Sequence, residues 1–126
     1  MDFPMVIKRR SCCGSKYIWK VESELDLNYY KKKDDGMYLI QEYLGRDDQE
    51  YTTGIFSDGR NISSITFKRK LGFGGLSVEV DLADSKEMDS MAQKLAHAVD
   101  LVGSINIQTR LCNGRYVPFE INPRFS

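Results

Sequence analysis

The chain has 126 residues, and 18 basic side chains balance 18 acidic ones. That length supports one modest core or two small subdomains, and a net charge of zero excludes a nucleic-acid binder driven by bulk charge. No apolar run approaches the about 20 residues that a membrane helix needs, and MDFPMVIKRR carries its charges after a short apolar stretch, unlike a secretory leader. The cysteines are Cys12, Cys13 and Cys112, an odd set with two adjacent members and no CxxC, and His97 is the one histidine. A disulfide framework and a zinc site are therefore not expected, and reduced thiols in a cytoplasmic protein are.

In chain order, FPMVIKRR (3–10) predicts a strand, SCCGSK (11–16) a small-residue turn and YIWKV (17–21) a second strand, together a hairpin. Ser23 followed by Asp26 predicts a helix over 23–33. The helix ends in a lysine run and the turn Asp34-Asp35-Gly36. MYLIQEYL (37–44) predicts a strand and GRDDQ a polar loop. EYTTGIFS and NISSITFKRKL flank the hairpin turn Ser57-Asp58-Gly59-Arg60. GFGG (72–75) predicts a flexible loop and LSVEVDL (76–82) a half-buried strand.

A long helix is expected over 85–102, with Asp84 as cap, Glu87 closing a capping box and Gly103 as terminator. Met88, Met91, Leu95, Val99 and Val102 form its predicted apolar face, and His97 lies off that stripe, at the surface. The chain closes with a hairpin, SINIQTRLC to YVPFEINPRF, joined at Asn113-Gly114. Segregated helices and strands favour an α+β fold, with a subdomain boundary near Gln41–Gly45.

Chemistry concentrates in FEINPRFS. Strand alternation puts Glu120, Asn122 and Arg124 on one face, and Phe119, Ile121 and Phe125 on the other. Glu120 and Asn122 offer the hard oxygens that magnesium prefers, and Gln108 on the neighbouring strand adds a third. A plain solvent face is the alternative for such a strand. Parity decides whether the three can share a wall. A two-residue Asn113-Gly114 loop with a regular ladder faces Gln108 toward Phe119, on the side opposite Glu120. A shared site therefore requires an odd loop or a bulge. A three-residue loop, Cys112-Asn113-Gly114, is the expectation, with Asn106 opposite Glu120 and Gln108 opposite Pro118. Lys8 beside the SCCGSK turn could hold a phosphate, or could be an exposed lysine on an ordinary hairpin. In LIQEYLGRDDQE, backbone groups could meet a flat base edge, and Glu42 or Glu50 could accept from ribose hydroxyls. An ordinary strand end with solvated acids is the alternative.

FPMVIK, IQEYL, NIQ and FEINPRFS, in that order, resemble the nucleotide-binding part of the ATP-grasp superfamily over about residues 3–126. The likeness is to the carbamoyl-phosphate-synthase large-chain type and its carboxylate–amine ligase relatives. The resemblance implies an α+β, ATP-grasp-like fold. A small lid of hairpin and helix over 1–40 would accompany a larger antiparallel sheet over 41–126, packed against one long helix, with ATP between them. It implies ATP and magnesium (or manganese) as cofactors. Lys8 is similar to the basic residue on the ATP phosphates, and Ser15 belongs to a turn that would form the mobile lid. Gln41, Glu42 and Leu44 resemble the segment lining the adenine, and Glu50 the acid on the ribose. Gln108, Glu120 and Asn122 are similar to the magnesium ligands. Arg124 resembles the arginine that stabilises the transferring phosphoryl group, and Arg69 of FKRK would sit near the acceptor or the phosphates.

The implied reaction is ATP-dependent activation of a carboxylate or bicarbonate as an acyl phosphate, which an amine or ammonia then attacks. A nucleotide-binding module without chemistry of its own, or a structural domain, is the alternative. The family places a further N-terminal domain before FP and continues past Ser126. A fragment of a longer enzyme, or a degenerate reading frame, is therefore expected. Such a piece could self-associate through exposed apolar surface, with no nucleic-acid or membrane partner. The acceptor substrate is not legible in these residues.

Overall fold

The structure, a computed structural model, describes residues 2–11, 17–45, 47–71 and 77–124. They fall into two compact units, one reaching to Tyr43 and the other beginning at Leu44. The fold is α+β, and both sheets are wholly antiparallel.

The first unit contains strands β1 (Met5–Arg9), β2 (Ile18–Val21) and β3 (Tyr38–Glu42), in the order β2-β1-β3, and helix α1 (Glu24–Lys33). Ser23 caps α1 by accepting from the Asp26 N–H at 3.2 Å. Glu24 and Asp26 in the first turn and three lysines in the last complement the helix dipole. Met5, Ile7, Val21 and Leu27 form the core, flanked by Trp19, Tyr30 and Tyr38. Because Met5 and Ile7 point inward, Val6 and Lys8 point to the other sheet face. Register places Leu39 and Gln41 on that face with them.

The second unit is built on a five-stranded sheet in the order β6-β5-β4-β7-β8. The strands are β4 (Glu50–Ser57), β5 (Ile62–Leu71), β6 (Ser77–Ala83), β7 (Gly103–Cys112) and β8 (Arg115–Asn122). A short 3₁₀ turn, Asp47–Gln49, leads into β4. Between β4 and β5, the Asp58 carboxylate accepts from the Arg60 and Asn61 backbone N–H groups and from the Asn61 side chain. These donors, those of Asn61 first, lower the Asp58 pKa to about 2.

Helix α2 (Lys86–Ala98) covers one face of this sheet. Its cap is Ser85, which accepts from the Met88 N–H at 3.4 Å, and not Asp84 as expected. Glu87 is then one position too early for a capping box, and its carboxylate accepts from the Tyr116 N–H instead. The helix ends four residues earlier than expected. Asp100 turns into the left-handed region at φ 46°, and Gly103 opens β7 rather than ending the helix. The buried stripe is Met88, Ala92 and Ala96, while Val99 and Val102 are 54% and 75% exposed. Two alanines let the helix lie close on Ile55, Ile105 and Ile107, a contact that a search for large apolar residues passes over. Among the described residues, no helix is long and apolar enough to cross a membrane.

Candidate functional site

The sheet face turned away from α2 carries the polar residues. On β7, Ile105, Ile107 and Thr109 are buried toward the helix, so Asn106, Gln108 and Arg110 point to the open face. The β7–β8 loop is Asn113-Gly114, with φ of 51° and 75° and Cys112 opposite Arg115. It is a two-residue turn, not the expected three-residue loop, because this left-handed pair suits the twist of a tight hairpin. Parity is reset further along. The register shifts between Gln108 and Thr109, so Thr109 pairs with Pro118 and Gln108 with Glu120, leaving Phe119 as the extra residue of a bulge. Gln108 therefore stands directly opposite Glu120, and Asn106 opposite Asn122, in place of the expected Asn106–Glu120 and Gln108–Pro118 pairs.

Gln108, Glu120 and Asn122 thus share one face. Asn122 Nδ2 donates to Glu120 Oε1 at 2.9 Å. Across the next strand pair, Thr52 lies opposite Gln108 and Gly54 opposite Asn106. Among the described residues no three His, Cys, Asp or Glu side chains converge, so a cation here would rest on two amide oxygens and one carboxylate. That all-oxygen set fits magnesium, which uses one or two carboxylates and fills its shell with waters and substrate phosphates. Arg124 lies two residues beyond β8 and is exposed.

Glu50 begins β4, opposite Arg69 on β5 and Arg110 on β7. Its carboxylate accepts from Arg69 at 3.1 Å and from Arg110 at 3.2 Å, and its side chain is 5% exposed. Arg110 also donates to the Gly45 carbonyl and lies over the Phe119 ring at 5.6 Å. The bulged residue is thereby tied to the charged cluster. The Leu44 carbonyl accepts from the Cys112 thiol at 3.1 Å. In the first unit, Lys8 and Gln41 share the outer sheet face, and Glu42 is exposed at the end of β3. Ser15 and the rest of the 12–16 turn, GFGG at 72–75 and Phe125 lie outside the described residues.

Sequence reasoning nominated neither Arg110 nor Asn106. The alternation N-I-Q-T-R over 106–110 marks both as open-face residues, but their partners are fixed only by long-range pairing.

A family model described as ATP-grasp in the biosynthetic pathway with Ter operon matches residues 34–126. The carbamoyl phosphate synthase arginine-specific large chain of Bacillus subtilis (strain 168) is 24% identical over 139 residues, spanning 100% of this chain and 13% of that protein. Among solved structures, the ADP complex of N5-carboxyaminoimidazole ribonucleotide synthetase is 16% identical, with a TM-score of 0.73, over 98% of this chain and 35% of that one. D-Alanine-D-Alanine ligase from Helicobacter pylori is 15% identical, with a TM-score of 0.69, over 98% and 43%. The biotin carboxylase domain of Hydrogenobacter thermophilus 2-oxoglutarate carboxylase, solved with MgADP, ADP and bicarbonate, is 14% identical with a TM-score of 0.78, over 98% and 31%. At these identities the structural likeness shows the fold, and this chain spans less than half of each of these proteins. The chain belongs to the ATP-grasp family that the matching model describes.

Proposed function

We propose that this ATP-grasp chain is the ATP- and magnesium-binding part of a ligase. The ligase would activate a carboxylate, or bicarbonate, as an acyl phosphate for attack by an amine or ammonia. The observation that carries this reading is the bulged register, with Gln108 facing Glu120 and Asn122 on the same side. When bound, magnesium (or manganese) supplies charge neutralisation at the phosphate oxygens. Gln108, Glu120 and Asn122 would hold it. The ADP and MgADP complexes among the structural relatives support a nucleotide ligand, and the Bacillus subtilis relative supports the carbamoyl-phosphate-synthase-like direction.

Lys8 and Arg124 neutralise phosphate oxygens as the carboxylate oxygen attacks the γ-phosphorus and ADP departs, Lys8 as a point charge and Arg124 as a planar fork. The amine then attacks the acyl carbon and phosphate leaves. Gln41, Glu42 and Leu44 line the base, and Glu50 takes the ribose. The arginine partners of Glu50 fix the orientation of its carboxylate, and a carboxylate oxygen accepts from a hydroxyl. Arg69 sits near the acceptor or the phosphates, Ser15 belongs to the lid, and residues 1–40 act as the lid subdomain.

Titration with a non-hydrolysable ATP analogue, with and without magnesium, tests the binding claim. Magnesium-dependent binding is expected, and binding indifferent to magnesium, or none, refutes it. Phosphate release from ATP by the full-length enzyme, with a panel of carboxylates and amines, separates ligation from mere nucleotide binding.

A further inference from the structure

We infer that Asn106 is a positioning residue for the cation site: its side-chain carbonyl takes an amide N–H of Asn122 when Asn122 turns its own carbonyl oxygen toward a divalent cation. The inference rests on the metal reading above and adds a residue to it.

Asn106 is 3% exposed. Its Nδ2 donates to Thr52 Oγ1 at 2.6 Å and is 3.5 Å from the Thr53 carbonyl oxygen. A backbone carbonyl only accepts, which favours nitrogen at that end of the amide. The other end, Oδ1, is buried and accepts no hydrogen bond among the described residues. A buried acceptor in that condition is costly and uncommon, and calls for a donor in some state of the protein.

Asn122 stands directly across from Asn106 on β8. At present its amide nitrogen is spent on Glu120 Oε1 at 2.9 Å. That bond occupies one of the carboxylate's acceptor sites and turns the nitrogen of Asn122, not its oxygen, toward Glu120. A cation held by both residues needs both oxygens, so the bond must open. The released N–H groups of Asn122 then need an acceptor, and the neighbouring strand offers Asn106 Oδ1. Thr52, Asn106 and Asn122 become a chain of hydrogen bonds that orients a ligand from behind, as outer partners do in metal sites.

The test measures Mn²⁺ binding by electron paramagnetic resonance, in the presence of a non-hydrolysable ATP analogue. Four chains are compared: the unsubstituted chain, Asn106→Ala, Asn122→Asp and the double variant. Asn106→Ala is expected to weaken Mn²⁺ binding about tenfold when Asn122 is present. It should weaken binding by less than about twofold beside Asn122→Asp, because aspartate has no N–H to deliver. Equal losses in the two backgrounds overturn the inference.

Should Asn106→Ala fail to fold, nuclear magnetic resonance of the unsubstituted chain decides. The Asn122 side-chain amide signals, identified by their loss in Asn122→Asp, must shift and exchange more slowly with water on adding Mg²⁺ and the analogue. Signals that stay unchanged overturn the role. Failure of the metal reading itself looks different. An unsubstituted chain that binds no Mn²⁺, or a Glu120→Ala chain that binds it equally well, overturns both. Glu120-dependent binding without coupling between Asn106 and Asn122 overturns this role alone.

Discussion

Replacing Glu50 with alanine removes the carboxylate that two guanidiniums share inside the second unit. Both contacts are direct, at 3.1 Å to Arg69 and 3.2 Å to Arg110, and the three side chains are 5%, 13% and 16% exposed. Breaking a buried ion pair costs roughly 3–5 kcal/mol, because the remaining charge stays in a poorly solvated place. The low end applies here: both arginines reach some water, and Arg110 keeps the Gly45 carbonyl. For a chain of this length the unfolding entropy converts about 3 kcal/mol into a fall in Tm of roughly 10 °C. Thermal unfolding followed by circular dichroism, without nucleotide, reads this directly. The loss should persist at high salt, because a pair this buried is weakly screened. A shift below about 2 °C would refute the claim that Glu50 organises this face of the sheet.

Truncating Ile107, which is 1% exposed between the sheet and α2, should cost about 2–5 kcal/mol in urea unfolding, as a cavity opens that Ala92 and Ala96 cannot fill. Ser85→Ala should lower stability by about 1 kcal/mol and Asp84→Ala by much less, because Ser85 is the residue that caps α2. Asp58 gives a pH signature. Its folded pKa, lowered from 3.8 to about 2, means that its contribution is fully present above about pH 4 and is lost as pH falls toward 2. Asp58→Ala should remove that portion of the acid dependence and leave the rest of the stability–pH curve unchanged in shape.

The sequence made the open face of the terminal hairpin legible because strand alternation is local: 120 and 122 must share a side, and so must 106, 108 and 110. The relation between these two sets was legible only as a parity condition. Whether the odd residue falls in the turn or in the strand depends on the left-handed preference of Asn113-Gly114 together with the fit of Arg110 over Phe119, and the second of these is a tertiary contact. The extent of α2 was misjudged for a related reason. Val99 and Val102 continue an apolar rhythm, but the helix ends at Ala98 and the chain turns at Asp100, and the helix face that meets the sheet is set by small residues. Neither the Glu50 cluster nor the buried Asn106 oxygen has a local signature. Each arises where three strands far apart in sequence come into register.

Isothermal titration of a non-hydrolysable ATP analogue into the chain and its Glu120→Ala variant, each with and without magnesium, probes the oxygen wall at its one carboxylate. Magnesium should tighten binding to the unsubstituted chain and have little effect on the variant, while both bind alike in its absence. An equal magnesium effect on the two chains would contradict the assignment of the cation to this face of the sheet.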